Sequence, residues 1–442
     1  MPKDKGKGDD SRPIPTSRAS RFARMARIAG GVAGGMVAEG ARQLRAGNRP
    51  TVRELLLTPG NARRVAEQLA TMRGAAMKIG QMLSMDTGDF LPRELADILA
   101  RLRDGARHMP PEQLQQVMRE AYGSDWETLF YGFDMTPLAA ASIGQVHKTF
   151  SPDGREIVLK IQYPGVADSI DSDVDNIASL LRLSGLMPAG IDIQPLLDDA
   201  KVQLKDEADY LKEAEFLQAF GRLLGKDKRF LLPEVLPELT HRKVLAMTFV
   251  SGSPIDTLLD LPQAERDRVM TALIELMLLE LFELRMVQTD PNFANYQYRR
   301  KTGEIVLLDF GATRRFKASF VNNYRRLVRA AIAGDEAKLV AAAERLGYAM
   351  GEPGSEYREL VLQFLILALE PLRQDAAYDF ARSDMARNMS RLAEDVTRYR
   401  DAWQAPPTDA IYFHRKVGGM FMLASRLKAR VNVHQLIQRW LT

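Results

Sequence analysis

Two short polar segments in the second half of this 442-residue chain each follow a strongly apolar stretch. Residues 273–287 read as an apolar helix, and Asp290 and Asn295 stand five positions apart in the polar segment that follows. Residues 305–308 read as an apolar strand that ends at Asp309, before Phe-Gly. Polar groups at the ends of buried elements are costly unless they have partners or a use. One alternative needs no chemistry, because Asp, Asn, Pro and Gly are also ordinary turn residues.

A lysine lies inside an apolar strand in the first half of the chain. Lys160 belongs to the predicted strand 156–161, which forms a hairpin with strand 143–150 through a Ser-Pro-Asp-Gly turn. A half-buried ammonium group needs a partner, and Glu213, on a helical stretch over 194–224, is a candidate. The alternative is an edge-strand lysine that reaches water, with Glu213 solvated on its helix.

The order of these polar residues fits phosphoryl transfer as protein kinases perform it. In that scheme a strand lysine pairs with a helix glutamate at the nucleotide phosphates. A loop aspartate lies near the attacking group, and an asparagine five residues on and the aspartate of Asp-Phe-Gly hold Mg²⁺. Asp309 follows Asp290 by 19 positions. The pattern therefore predicts an ATP site with bound Mg²⁺.

Several usual kinase features are absent from the sequence. The hairpin is preceded by Pro137–Gly144, which is rich in alanine where a glycine-rich loop would stand, and alanine is less permissive than glycine. The segment before Asp290 reads Gln-Thr-Asp rather than His-Arg-Asp. Helical pattern resumes near Phe320, so no long activation segment follows Gly311. A kinase without that segment lacks the usual platform for a peptide substrate.

Strands followed by helices, with one hairpin in the helical half, predict an α+β bilobal fold. We predict a basic flexible leader over 1–50, a helical extension over 51–135, a kinase-like N-lobe over 136–252 and a mostly helical C-lobe over 253–442. Besides 194–224, a helix is predicted to begin at Thr58-Pro59 and to carry apolar residues at helical spacing through Leu83, and residues 21–46 are compatible with another. The remaining predicted helices are 110–122, 262–286, 317–333, 335–346, 354–371, 376–401 and 432–441. The remaining predicted strands are 243–250, 296–300 and 304–308.

The net charge of +4 is concentrated in the leader. Residues 1–50 carry 11 Lys/Arg against 4 Asp/Glu, whereas the rest carries 50 against 53. This distribution argues against a broad basic face for nucleic acid and favours an anionic membrane surface as the partner of the leader. The absence of cysteine excludes disulfides, thiolate nucleophiles and Cys-ligated metals.

The leader has no segment long enough to span a membrane. Its longest small and apolar run, 28–38, is far shorter than the ~20 residues that a span needs, and the polar start is unlike a secretory signal. We therefore expect an intracellular protein. Paired glycines at 30/34 and 31/35 allow close helix packing in lipid, and a flexible hinge explains them equally well.

Three further motifs carry a family resemblance. They are Lys78-Ile79-Gly80-Gln81 on a predicted amphipathic helix, the alanine run Ala139–Ser142, and Glu207-Ala208-Asp209. With the two polar segments, they resemble the UbiB family, the AarF/UbiB atypical kinase-like proteins of ubiquinone biosynthesis. The resemblance covers about residues 12–420. It is closer to the mitochondrial-type branch, which lacks C-terminal transmembrane helices.

The resemblance implies a protein-kinase-like fold with an all-helical N-terminal extension packed over the active site. It implies that Lys160 and Glu213 form the ion pair at ATP, that Asp290 is the catalytic-loop aspartate, and that Asn295 and Asp309 bind Mg²⁺. The nucleotide contacts expected besides Lys160 are Ala139, Ala140, Ala141, Ser142, Phe249 and Val250.

The resemblance also implies a regulatory lid formed by Lys78, Gln81, Glu207 and Asp209. Lys78 and Gln81 share a helix face at i,i+3. Glu207 and Asp209 are two apart and cannot share a face on a straight helix. Either the helix is irregular there, or one carboxylate points elsewhere.

The function that these residues favour is a Mg²⁺–ATP atypical kinase or ATPase that supports ubiquinone biosynthesis and is autoinhibited toward protein substrates. The alternatives are a non-catalytic, nucleotide-switched pseudokinase that presents lipid, and a protein Ser/Thr kinase with a displaceable lid. Besides the membrane surface, we expect quinone-precursor lipids or quinone-biosynthesis enzymes as partners and no nucleic acid, and we leave a homodimer open. Acidic residues make the leader a poor transit peptide, so we expect the bacterial cytoplasm, peripheral to the inner membrane.

Overall fold

The computed structural model describes residues 108–183, 194–290, 292–399, 404 and 406–441, with single positions at 34, 41, 42, 45 and 75. Lys78 and Gln81 lie outside the described residues, as do nearly all of the leader and most of the predicted extension. The chain divides into two units. The first comprises the residues up to Gln218 with Pro233–Phe249, and the second comprises Ala219–Leu232 with Val250–Thr442.

The described helices are α1 (Pro111–Tyr122), α2 (Val166–Leu183), α3 (Gln194–Glu207), α4 (Tyr210–Leu224), α5 (Gln263–Leu279), α6 (Ala318–Ala333), α7 (Glu336–Leu346), α8 (Glu356–Ala368), α9 (Met385–Val396), α10 (Thr408–Arg426) and α11 (Val433–Gln438). The strands are β1 (Ala139–Ala140), β2 (Gly144–Phe150), β3 (Glu156–Gln162), β4 (Phe230–Leu231), β5 (Val244–Thr248), β6 (Ser253–Pro254), β7 (Met286–Gln288), β8 (Tyr296–Arg299), β9 (Glu304–Leu307), β10 (Thr313–Arg315), β11 (Tyr378–Asp379) and β12 (Arg430–Val431).

The first unit is built on an antiparallel sheet with the strand order β1-β2-β3-β5. β3 lies between β2 and β5, and all of it after Glu156 is buried, which accounts for its apolar residues on both faces at 157–159 and 161. The predicted turn closes the β2–β3 hairpin. Gly154 takes a φ of 84° there, and the Ser151 hydroxyl oxygen accepts a hydrogen bond from the Arg155 amide at 3.1 Å.

The described end of the predicted extension shares the core of this sheet. Leu114 and Met118 on α1, together with Trp126, pack in one buried cluster with Ile157 and Leu159 of β3. The amphipathic face of α1 is therefore covered by the strand that carries Lys160.

The second unit contains a sheet with the strand order β4-β9-β8-β6, and the β8–β9 hairpin is the one that the sequence predicts. A separate pair, β7–β10, lies between α5 and α6 in the chain. Within the described ranges, every helix is too short or too polar to cross a lipid bilayer.

Several predicted elements differ from the structure. The stretch 194–224 is two helices, and the predicted helix 262–286 ends at Leu279 in a π-helical turn, Glu280–Leu284, before β7. The prediction of one helix over 376–401 is wrong, because β11 pairs with β12 more than 50 residues away in sequence. The helices α2 and α10 were not predicted at all. The helix break and the β11–β12 pair depend on distant segments, which the local pattern does not contain. The sequence of α2 does carry a helical signal, because Ile170, Val174 and Ile177 stand at helical spacing and are buried.

Gly144 offers a direct test of packing in the first unit. A Cβ atom at this position would lie 2.3 Å from the backbone oxygen of Ile161 and 3.0 Å from the Tyr210 hydroxyl. We expect Gly144→Ala to lower the free energy of unfolding by about 1–3 kcal/mol, because the strand backbone must shift. Gly221→Ala is the matched control, since a Cβ on that helical glycine meets nothing within 4 Å. Urea unfolding should show the control unchanged or stabilised, and equal unfolding of both variants would contradict the close approach at Gly144.

Candidate functional site

Lys160 and Glu213 form a buried ion pair in the first unit. The Lys160 ammonium nitrogen lies 2.8 and 2.9 Å from the two carboxylate oxygens of Glu213, and the side chains are 11% and 2% exposed. The ring of Tyr210 lies 5.2 Å from the same ammonium group. The pairing that the sequence predicts is present, and Lys160 is not a solvated edge lysine. Its assignment to ATP stays a prediction.

The break between α3 and α4 explains the spacing of Glu207 and Asp209. Gln162, at the end of β3, donates a 2.6 Å hydrogen bond to the backbone oxygen of Ala208, within the break. Asp209 then caps α4, because its carboxylate accepts a 3.2 Å hydrogen bond from the Lys212 amide. The sequence left open whether the helix is irregular or one carboxylate points elsewhere. The structure shows that the helix is irregular, because it is interrupted at Ala208 and Asp209. This irregularity lets α4 begin anew and present Glu213 in its first turn.

The alanine-rich segment forms a tight hairpin turn. β1 pairs with Gln145 and Val146 of β2, and the Ala141 amide donates a 2.9 Å hydrogen bond to the Gly144 carbonyl. Ala139 and Ala140 are exposed, and the Ser142 hydroxyl donates to Glu207 at 3.4 Å. The segment that the sequence places at the nucleotide is therefore held by the sheet on one side and by the last residue of α3 on the other.

Phe249 and Val250 follow the last strand of the first sheet. The Phe249 amide donates to the Glu156 carbonyl at 2.9 Å, and the Lys148 ammonium group lies 4.1 Å from the Phe249 ring centroid. Both residues are half-buried. Their predicted contact with a nucleotide stays a prediction.

In the second unit, hydrogen bonds shape the segment that carries Asp290 and Asn295. The Asn295 side-chain amide donates to Asp290 at 3.4 Å, and the Asn295 carbonyl accepts from the Leu308 amide at 3.1 Å. Thr289 donates to the Ala312 carbonyl through its amide at 3.1 Å and through its hydroxyl at 2.7 Å. Both ends of the segment are thereby tied to the residues that flank Asp309.

Asp309 is oriented by its own turn. Its Oδ1 atom accepts a 2.9 Å hydrogen bond from the Gly311 amide, which fixes the carboxylate against the turn that follows it. Phe310 is buried and its ring centroid lies 4.8 Å from that of Phe220 on α4. The Asp-Phe-Gly sequence thus places an anchored ring beside a half-buried carboxylate.

The oxygen donors of the second unit fit Mg²⁺ held together with a phosphate ligand. Asp309 and Asn295 supply the carboxylate and amide oxygens that Mg²⁺ prefers, and Asp290 lies within hydrogen-bond reach of Asn295. No group of three or more His, Cys, Asp or Glu residues capable of holding a metal occurs in the described ranges. In a kinase-type site, substrate phosphates and water complete the coordination of Mg²⁺.

A buried polar network was missed by the sequence analysis. Lys416 on α10 lies 2.8 Å from the Tyr296 hydroxyl, 3.4 Å from the Gln288 side-chain oxygen and 3.7 Å from the Glu280 carboxylate. All four residues are buried. Glu280 is the one charged residue in the otherwise apolar run 276–282. A single acidic residue in such a run predicts a buried carboxylate with a partner, and this is the signal that could have found the network.

Burial governs the ionisation of this network. Burial raises the pKa of Glu280 to about 7, and the Lys416 charge opposes that shift. Burial lowers the pKa of Lys416, but the Glu280 carboxylate and the Tyr296 hydroxyl outweigh it, so the pKa of Lys416 lies above its ordinary value. Burial also raises the pKa of Tyr296. Lys416 therefore stays protonated and acts as a hydrogen-bond donor.

The Lys160–Glu213 pair predicts an asymmetric response to substitution. Lys160→Met leaves a buried carboxylate without its cation and should lower the free energy of unfolding by about 3–5 kcal/mol. Combining it with Glu213→Leu should restore most of that loss, because both charges of the pair are then removed. Lys243→Met is the control, since the Lys243–Glu120 pair is 50% and 44% exposed and its loss should change stability by about 1 kcal/mol or less. Equal unfolding free energies for Lys160→Met and the double variant would refute the buried pairing.

Comparisons with known proteins identify the family of this chain. The profile of the ABC1 atypical kinase-like domain matches residues 101–343. The mitochondrial atypical kinase COQ8 of Saccharomyces cerevisiae is 37% identical over 426 residues, which cover 96% of this chain and 85% of the relative. The mitochondrial atypical kinase COQ8B of Rattus norvegicus is 36% identical over 434 residues, 97% of this chain and 81% of the relative. A probable serine/threonine-protein kinase, abkA of Dictyostelium discoideum, is 34% identical over 445 residues, which cover 95% of this chain and 78% of the relative.

These relatives correct one expectation. The sequence analysis expected the bacterial cytoplasm, peripheral to the inner membrane. That prediction is wrong, because similar proteins from yeast, fish, nematode and rat are named as mitochondrial. The acidic residues of the leader, on which the prediction depended, are a weak guide to compartment.

A solved structure supports the fold. The complex of Rv3197 with erythromycin from Mycobacterium tuberculosis aligns with a TM-score of 0.59 at 23% identity, over 86% of this chain and 95% of that chain. With the α+β architecture described above, this confirms the predicted kinase-like fold class. The family profile covers more than half of the chain, and the yeast relative matches along most of its length. The chain therefore belongs to the ABC1 atypical kinase-like family, to which the UbiB and COQ8 proteins also belong.

Proposed function

We propose that this chain binds ATP and Mg²⁺ and removes the γ-phosphoryl group, as an atypical kinase or ATPase that supports ubiquinone biosynthesis. The observation that carries the proposal is the buried Lys160–Glu213 pair, in which a lysine is fixed inside a strand by a helix carboxylate. A solvated lysine would need neither a broken helix nor a second buried charge. Membership in a kinase-like family and relatives named atypical kinases support the same activity.

Each polar residue has a distinct part in this proposal. Lys160 binds the phosphates, and Glu213 holds its ammonium group in one position. Asp290 accepts a hydrogen bond from the attacking hydroxyl or water and thereby orients it. Asn295 and Asp309 hold Mg²⁺. The bound ion offsets the negative charge of the phosphates.

A small molecule or water is the acceptor that we propose. Only Ala312–Lys317 separate Gly311 from α6, so no long segment is present there to form a peptide platform. Quinone-precursor lipids at an anionic membrane surface are the partners that fit the predicted role. Lys78, Gln81, Glu207 and Asp209 are proposed to limit access by protein substrates.

The test is ATP turnover by the full chain, measured as ADP release. It is measured with and without anionic liposomes and a phenolic quinone-precursor mimic. Asp309→Asn should lower turnover by about a hundredfold or more, because a carboxylate that holds the metal is lost. Asp335→Asn is the matched control, since Asp335 caps α7 through the Lys338 amide at 3.0 Å and asparagine caps equally well.

The outcomes separate the alternatives. Turnover that depends on Asp309 supports the proposal, and stimulation by the phenolic mimic supports a small-molecule acceptor. ADP release unchanged in Asp309→Asn contradicts it. Nucleotide binding by the wild type without ADP release under all these conditions also contradicts it and favours the lipid-presenting pseudokinase.

A further inference from the structure

Lys416 reaches both ends of the segment that carries Asp290 and Asn295. Gln288 immediately precedes that segment, 289–295, and Tyr296 immediately follows it. The Lys416 ammonium nitrogen donates to the Gln288 side-chain oxygen at 3.4 Å and to the Tyr296 hydroxyl at 2.8 Å. One group on a helix more than 100 residues later in the chain thus joins the two boundaries of the segment.

Lys416 and its acidic partner Glu280 are both buried, which is unusual for charged side chains. Lys416 and Glu280 are each 2% exposed, and burying two charges is expensive unless hydrogen bonds accompany them. Replacing such pairs by apolar residues is often neutral or stabilising, so stability alone does not account for the pair. Glu280 opens the π-helical turn Glu280–Leu284, a type of turn that is common at functional sites.

Backbone hydrogen bonds and strand pairs hold the two ends of the segment. Thr289 is held to Ala312 and Asn295 to Leu308, so the ends of the segment are attached to the Asp309 region. Lys416, from α10, adds an attachment through side chains to the strand pairs that Gln288 forms with Thr313 and Tyr296 forms with Leu307.

We propose that Lys416 is a positioning residue, which fixes the segment 289–295 and thereby the geometry of Asp290 and Asn295 for phosphoryl transfer. This inference rests on the proposed function for its catalytic part. Lys416 itself touches no reacting atom. Its effect is transmitted through Gln288 and Tyr296, and Glu280 keeps its charge tolerable in the interior.

The main test is the double variant Lys416→Met with Glu280→Gln in the full chain. It removes the anchor without leaving an unpaired buried charge, so the fold should persist. We expect kcat for ATP turnover to fall by about tenfold or more while the KM for ATP changes by about twofold or less, because displaced reacting groups lower the rate more than binding. Arg426→Met, on the same helix in an exposed pair with Asp256, is the control and should leave both constants unchanged.

Hydrogen exchange gives a readout that does not depend on activity. Amides of residues 286–290 and 292–296 should lose protection by about tenfold in the double variant, while α5 and α10 keep theirs. Tyr296→Phe removes a single hydrogen bond and keeps the ring, so it should cause a smaller change of the same kind. That variant also keeps the inference testable if the double variant does not fold.

The results divide clearly. Loss of protection confined to 286–290 and 292–296, with lower kcat, supports positioning by Lys416. Unchanged kcat in both variants, or protection lost equally across α5 and α10, overturns it in favour of a purely structural pair. If the wild type lacks ATP turnover, the proposed function fails, and the exchange pattern still decides whether Lys416 anchors the segment.

Discussion

A lysine buried inside a strand must have an anion beside it, and this requirement organises the first unit. Glu213 provides the anion from the first turn of α4. To start a helix there, the preceding helix must end, and Ala208–Asp209 form the break that Gln162 and the Asp209 cap stabilise. The Glu-x-Asp motif is therefore partly a local structural device: one carboxylate caps the new helix, and the other contacts Ser142 of the alanine-rich turn.

In the second unit, several polar groups lie at the ends of apolar elements and must be held there. Backbone amides and carbonyls do most of this work, through Thr289 to Ala312, Leu308 to Asn295, and Gly311 to Asp309. Such ties hold the backbone on both sides of Asp309, and the Gly311 amide fixes the Asp309 carboxylate directly. The buried Lys416–Glu280 network adds side-chain anchors behind the segment.

Features that depend on residues close together in the sequence were predicted, and features that depend on residues far apart were not. The β2–β3 hairpin and its turn were predicted because strand pattern and turn chemistry are local, and the helices α1, α6 and α7 were placed to within about two residues for the same reason. The helix over 376–401 failed because β11 depends on β12, and the helix break at 208–209 was left open because Gln162 decides it. Lys416 was missed because its partners are 120 or more residues earlier in the chain.

By itself, the sequence determined the chemical types and their order: a strand lysine, a helix glutamate, an Asp and Asn five apart, and an aspartate at the end of an apolar strand. These features can be recognised from the sequence alone because each depends on neighbouring residues and on the kinase-like order along the chain. Tertiary structure alone decided that Lys160 and Glu213 are both buried and in contact, and that Lys416 joins the boundaries of 289–295. Burial makes the difference, since a charge becomes costly only when the rest of the chain removes water from it.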